Sequence, residues 1–405
     1  MKKFNKVLSV VVASAMVMAM AGCGNTDNGS AATGTNAATE SAAADNGAAS
    51  GSVFKIGGIG PTTGGAAVYG LAVQHGAEIA VEEINAAGGI NGYQVEFKFQ
   101  DDEADAEKSV NAYNALKDWG AQIIDGSTTS GACIAVTDKT KEDNMFQITP
   151  SGSAVECVQY DNNFRVCFSD PNQGLASAQY IGENGLAEKI AVIYDSSDVY
   201  SSGIYEKFAK EAENQPFEIV AAEAFTADNK TDFSVQLQKA KDAGADMVFL
   251  PIYYQESALI LTQAAAMGYA PKWFSCDGMD GILGGVDNFD VSLTEGVMLL
   301  TPFAADATDD LTQSFVTKYK EKYGETPNQF AADSYDAIYV IKAAIEKSGV
   351  TPDMSVSDIC DGMKAAMTEI TVDGLTGNGM TWTADGEANK APKAVVIENG
   401  AYKAM

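Results

Sequence analysis

The chain has 405 residues, 46% of them hydrophobic and 20% charged, with 55 acidic against 26 basic residues and a net charge of −29. That apolar share over this length gives core enough for two domains rather than one, and so acidic a chain is a poor partner for nucleic acid, whose phosphates are bound by Lys and Arg. The one histidine, His75, lies inside an amphipathic helical pattern, which nearly removes Ser-His-Asp and Cys-His catalysis.

In chain order, Lys2, Lys3 and Lys6 precede the uncharged run VLSVVVASAMVMAMAG, which ends at Cys23. This is an export signal. Small Ala21 and Gly22 before a cysteine resemble a lipoprotein signal over residues 1–22, in which Cys23 is lipidated and becomes the mature N-terminus. As a membrane span the run is shorter than the ~20 residues a bilayer crossing needs. Residues 24–52 carry no Lys, Arg, aromatic or aliphatic larger than Ala, so they cannot bury a core and read, with Cys23, as a tether over 23–52. Its reach is roughly 30 Å for about 29 residues. Without the three lysines of the signal, 23 basic face 55 acidic residues, a charge near −32 that keeps an exported protein dispersed.

From Val53 onward, strands alternate with helices: VFKIGGI, a helix from Tyr69 to Ala87, QVEFKFQ, a helix near 104–118, AQIID, a helix from 131, MFQIT and NFRVCF. In the first helix Val73, Ala77, Ala80, Val81 and Ile84 form the apolar stripe, and Gly88-Gly89 stops it. The rhythm then restarts with a helix near 173–184, KIAVIY, a helix near 203–213, FEIVAAEAF, a helix near 232–243, DMVFLPI and a helix near 256–267. Alternation of this kind gives parallel sheets covered by helices on both faces, here in two lobes. GVMLLTPF and the helical patterns LTQSFVTKYKEKYG and QFAADSYDAIYVIKAAIEKSG read as a return to the first lobe, and the tail as turns plus two short strands. The expected architecture is α/β: two doubly wound parallel-sheet lobes, one of 53–170 plus 300–376 and the other of 171–299 plus 377–405. Three hinge segments, near 168–172, 299–303 and 374–379, join them around a ligand cleft.

Beyond Cys23 the cysteines are Cys133, Cys157, Cys167, Cys276 and Cys360, with no CxxC pair and so no metal spacing. Cys157 and Cys167 flank a turn-like segment and could bridge, although scattered thiols in apolar strands read more simply as small buried hydrophobes. No GxxxxGK[ST] loop exists, and GIGPTTG is a loose relative of the dinucleotide fingerprint with Pro61 where the helix should open. Adjacent acids such as Asp101-Asp102 read as solvated rather than as a glycosidase pair. What remains are hydroxyl-bearing turns at strand ends, GSTTSGA and TPSGSA. At the carboxyl edge of a doubly wound sheet, Ser130 and Ser153 would donate to a carboxylate; the alternative is that both merely cap their helices. Tyr200, Tyr253, Tyr254 and Asp277 stand at comparable strand ends in the second half, so a carboxylate there would face the two serines and clamp a zwitterion.

KIGGIGPTTGGAAVYG, INAAGGINGYQVEFKFQDDEAD, ITPSGSA, FRVCFSDPNQG and AVIYDSSDVYSSG together resemble the extracytoplasmic solute-binding proteins of ABC importers in the leucine/isoleucine/valine-binding group. The resemblance implies a non-enzymatic, cofactor-free and monomeric binder that delivers an amino acid to a membrane permease from a lipid-anchored, extracytoplasmic position. It also implies that Tyr69 closes over the ligand, that Ser130 and Ser153 bind the α-carboxylate, and that the Ser151 carbonyl accepts from the α-ammonium. Tyr200 and Tyr253 would cover the ligand and Asp277 would pair with the ammonium. Thr128 and Thr129 depart from the more apolar residues of branched-chain binders, so the ligand's side chain is left open, another small carboxylate or amide included. The alternative role is the ligand-sensing subunit of a signalling complex.

Overall fold

The computed structural model describes residues 51–405; the expected export signal over 1–22, Cys23 and the part of the expected tether up to residue 50 lie outside the described residues. Strands β1 (Phe54–Gly60), β2 (Val95–Asp101), β3 (Ile123–Asp125), β4 (Phe146–Thr149) and β5 (Asn163–Arg165) form a parallel sheet in the order β2-β1-β3-β4-β5. A second sheet runs β10-β9-β8-β6-β7 in parallel, from β6 (Lys189–Asp195), β7 (Glu218–Phe225), β8 (Met247–Leu250), β9 (Lys272–Ser275) and β10 (Met298–Thr301). Strands β11 (Lys393–Glu398) and β12 (Ala401–Ala404) extend it antiparallel beyond β10. Strands β4 and β8 are both buried along their whole length: β8, MVFL, is an unbroken apolar run, whereas β4, FQIT, buries Gln147 and Thr149 as well, each hydrogen-bonded to the neighbouring turns and helix.

Helices α1 (Ala67–Ala86), α2 (Ala106–Trp119) and α3 (Ser130–Asp143) connect the strands of the first sheet. The connections of the second are α4 (Asp170–Glu183), α5 (Val199–Ala212), α6 (Ser234–Asp242) and α7 (Tyr254–Ala266). After β10 the chain returns to the first lobe as α8 (Asp310–Tyr323), α9 (Gln329–Ser348) and α10 (Val356–Met367), where α9 packs on α1, β3 and β4. The α1–α9 approach is so close that a Cβ on Gly76 would sit 2.0 Å from the Ala331 carbonyl, so only glycine fits there.

Several expectations are corrected. The run GVMLLTPF is not the first piece of the return, because its strand pairs with β9 and belongs to the second sheet. Helix α10 had no counterpart in the sequence reading, and α4 begins at Asp170, ahead of 173, with a proline in its first turn where the missing N–H costs nothing. After TPSGSA comes only a one-turn helix, Val155–Val158. The tail also stays on the first lobe beyond 374–379. Trp382 Nε1 donates to the Arg165 carbonyl at 2.8 Å, Arg165 N to Gly386 O at 3.0 Å, and buried Lys390 pairs with buried Asp333 at 3.0 Å. Asp336 fixes the start of this segment, accepting from Leu375 N, Thr376 N and Thr376 Oγ1 at 2.8, 2.8 and 2.6 Å. All five described cysteines are free and buried; Cys133 packs against Cys157, and Cys157 and Cys167 are not bridged.

Candidate ligand site

Strands β3 and β4 end side by side, so the turns that follow them meet at the carboxyl edge of the first sheet. They are laced together. Thr149 Oγ1 donates to Ser127 O at 2.7 Å and accepts from Gly152 N at 2.7 Å, and Ser151 Oγ donates to Thr128 O at 2.6 Å. Ser130 Oγ accepts from both Ser153 N and Ala154 N at 3.1 Å, leaving its own proton for a further acceptor, with Ser153 Oγ 3.5 Å away. Neither serine is a helix cap: Thr129 occupies that place on α3, and Ala154 before the short turn. The first N–H groups of α3, which Ser130 opens at this edge, have no intrahelical acceptors. Ser151 contributes its carbonyl, which accepts no hydrogen bond among the described residues.

Behind the TPSGSA turn lies Arg165, wholly buried at the end of β5. Its guanidinium donates to the carbonyls of Gly152 at 3.3 Å, Ser153, Ala154 at 2.9 Å and Val155 at 3.4 Å, and Nε lies 3.3 Å from Glu387. One fork of donors thus turns a run of carbonyls inward, away from the serine hydroxyls.

The second lobe supplies the opposite wall. Tyr200 OH donates to Asp277 Oδ1 at 2.6 Å and accepts from Gly278 N at 2.9 Å, while Asp277 N donates to Gln173 Oε1 at 3.3 Å. Burial pushes the Asp277 carboxyl up to about 6, against the pull of the hydrogen bonds from Tyr200 and Gln173. Burial likewise drives the Tyr69, Tyr200 and Tyr253 hydroxyls upward, so all three remain neutral donors. Tyr69 reaches across from α1: its hydroxyl donates to the Gly278 carbonyl and accepts from Tyr254 N at 3.2 Å. Its ring meets Tyr253 edge-on at 5.3 Å and Phe330 at 4.3 Å.

Tyr69, Ser130, Ser151, Ser153, Tyr200, Tyr253 and Asp277, the seven residues expected from the sequence, all line one cavity between the lobes, together with Thr128, Thr129, Gly278 and Phe330. Its volume is about 20 Å³, room for little more than one water. Phe330 and Arg165 had not been singled out. Nothing local marks Phe330, but Arg165, at the end of a short strand and followed by the apolar run Val166-Cys167-Phe168, is itself a sequence signal of a buried cation. His75 lines no part of the cavity; it stacks on Tyr323 at 3.7 Å in the α1–α8 contact. Among the described residues no His, Cys, Asp and Glu cluster could hold a metal ion. The site is built of fixed donors on one side and a carboxylate on the other.

A family model described as "Periplasmic binding protein" matches residues 53–401. The chain belongs to that family, in its leucine/isoleucine/valine-binding group of ABC solute-binding proteins. It is 31% identical over 300 residues to Leu/Ile/Val-binding protein homolog 3 of Brucella melitensis, covering 74% of this chain and 80% of that protein. To the leucine-, isoleucine-, valine-, threonine- and alanine-binding protein of Pseudomonas aeruginosa it is 30% identical over 303 residues, covering 73% and 79%. Among solved structures, the branched-chain amino acid binding protein LivJ of Streptococcus pneumoniae, in complex with isoleucine, superposes with a TM-score of 0.78 at 28% identity, covering 87% of this chain and 99% of LivJ. A benzoate-bound solute-binding protein of R. palustris shares the two-lobed fold, with a TM-score of 0.76 at 19% identity over 87% of this chain and 95% of that one. These are binding proteins of extracytoplasmic type, and the fold is theirs.

Proposed function

We propose that the protein captures a free amino acid between its lobes and hands it to an ABC permease. The observation that carries this reading is the polarity of the cavity: the Ser130 and Ser153 hydroxyls with the α3 amides on one lobe, Asp277 with Tyr200 on the other. A carboxylate at the first and an ammonium at the second both make charge-assisted bonds, about twice as strong as neutral ones. A plain carboxylic acid would leave Asp277 buried beside it without a cation, a costly arrangement. In the closed arrangement the cavity admits about one water, so a ligand enters with the lobes parted and is then enclosed as Tyr69 reaches Gly278 and Tyr254. Relatives named for leucine, isoleucine and valine support the amino-acid class.

The leader and Cys23 support a mature protein tethered by lipid outside the cytoplasm, and the hydroxyl-rich turns support binding without bond cleavage. A thermal-shift screen over the common amino acids and matched deamino acids tests the ligand class: a ligand at ~100 times its dissociation constant adds about 2.7 kcal/mol. Stabilisation by amino acids and not by deamino acids is the expected result; the reverse would defeat the assignment. Mass spectrometry of the membrane-extracted N-terminus tests lipidation of Cys23, and an unmodified N-terminus elsewhere would refute it.

A further inference from the structure

The cavity shares part of its wall with a larger space. Thr129 and Tyr253 also line a pocket of about 320 Å³ between the lobes. Carboxylates dominate that pocket, with Glu103, Asp195, Asp198 and Glu256 against Lys230. Two of them are already matched, Glu256 by Lys230 at 3.0 Å and Glu103 by Lys108 at 2.6 Å. Asp195 and Asp198 have no cation within ion-pair distance among the described residues. Their bonds are to neutral donors: Asp195 accepts from Ser197 N and Oγ at 2.8 and 2.6 Å, and Asp198 from Tyr200 N at 3.3 Å. Burial, with the charges of Asp195 and Glu256 behind it, pushes the Asp198 carboxyl up to about 6.

Thr129 stands in the wall shared by the two spaces. It is 5% exposed, and although it stands at the N-cap position of α3 its Oγ1 makes no capping bond and finds no other hydrogen-bond partner. A hydroxyl stranded in this way costs about 1–3 kcal/mol unless something else supplies the bond. The cavity proper, at about 20 Å³ and ringed by Tyr69, Phe330, Tyr200 and Tyr253, leaves no space for a long side chain beyond the groups that would meet the serines and Asp277. Thr129 and Tyr253 are the residues that border both spaces.

We propose that the ligand is an amino acid with a cationic side chain, which runs between Thr129 and Tyr253 and ends beside Asp195 and Asp198. This rests on the amino-acid reading above and narrows it. A guanidinium or ammonium there completes the pocket's charge and can donate to Thr129 on the way. An aliphatic side chain would strip water from two carboxylates and leave Thr129 unpartnered.

Isothermal titration of the mature chain with L-arginine, L-lysine, L-leucine and L-alanine tests the proposal. Arginine or lysine should bind at least ~10-fold tighter than leucine at low salt, with the margin shrinking as ionic strength rises. Asp195→Asn should weaken the cationic ligand several-fold more than alanine. Leucine or alanine binding as tightly as the cationic pair overturns this inference while leaving the amino-acid site standing, as does an Asp195→Asn effect equal for all ligands. Absence of binding for all four overturns this inference, and the amino-acid reading falls with it only if no common amino acid stabilises the protein in the thermal-shift screen.

Discussion

Replacing Arg165 with methionine tests how the anion-binding turn is held in shape. The guanidinium is wholly buried and donates to four consecutive carbonyls, Gly152 to Val155, while pairing with Glu387 at 3.3 Å. Methionine keeps an unbranched stem in the apolar surroundings but is shorter and removes every donor. A stranded buried polar group costs about 1–3 kcal/mol. The four carbonyls share one donor group and can partly relax together, so the expected loss is that of one broken buried charge network, about 3–5 kcal/mol. For a folded chain of this size, whose unfolding entropy is about 2.1 cal/mol/K per residue, that corresponds to a fall in Tm of about 4–7 °C. Arg165→Lys should fall between, because an ammonium cannot fork across the run. Scanning calorimetry gives Tm, and titration with the best amino acid should show weakened binding, because Ser153 N and Ala154 N would no longer be held on Ser130 Oγ. A Tm within ~2 °C of the parent, with parental affinity, would refute the bracing role.

Asp277→Asn should weaken an amino acid by about two orders of magnitude, since the ammonium loses a buried partner; titration against the matched deamino acid checks it, and equal losses for both would refute the ammonium role. Tyr69→Phe removes the hydroxyl that joins α1 to Gly278 and Tyr254. Two lost bonds of about 1 kcal/mol each should move the ligand-free protein toward the open form, seen as a larger radius of gyration by small-angle scattering; an unchanged radius would contradict the latch. Acidification should act in opposite directions on stability and affinity. Burial holds Asp277 and Asp280 near 6 and Asp333 near 7, above their unfolded range, so the folded state binds protons first and ligand-free stability rises as pH falls from 8 to 5. Carboxylates pulled the other way, such as Asp143 and Asp161, lose their contribution only at still lower pH. Amino-acid binding needs ionised Asp277, so affinity falls as pH drops through about 6, where half of the carboxyls are protonated in the ligand-free protein. Tm and affinity measured across this range check both, and affinity that rises on acidification would contradict the site chemistry.

Much of the fold was legible because burial on both faces leaves plain marks. Strand β8 is a continuous apolar run, and α1 carries its stripe at helical spacing. What depends on pairing over distance was not legible. Nothing in GVMLLTPF says that β10 lies against β9 before the chain crosses back, and nothing in the tail says that Trp382 and Lys390 dock on the first lobe. Helix α10 was passed over although Ser355 caps it, with Ile359, Met363 and Met367 on its buried side, because turn-forming residues crowd its start. At the site, the hydroxyl turns and Asp277 stood out as polar residues at strand ends. Phe330 did not, since an aromatic at the start of a long apolar helix looks like any core residue until α9 is set against the cleft.

The central claim is that two lobes hold a zwitterion by opposite ends, and a crystal structure with the tightest-binding amino acid examines it directly. The α-carboxylate should lie within hydrogen-bond distance of the Ser130 and Ser153 hydroxyls, with the α-ammonium against Asp277 and the Ser151 carbonyl. A ligand found outside the cavity, or turned with its ammonium toward the serines, would contradict the account.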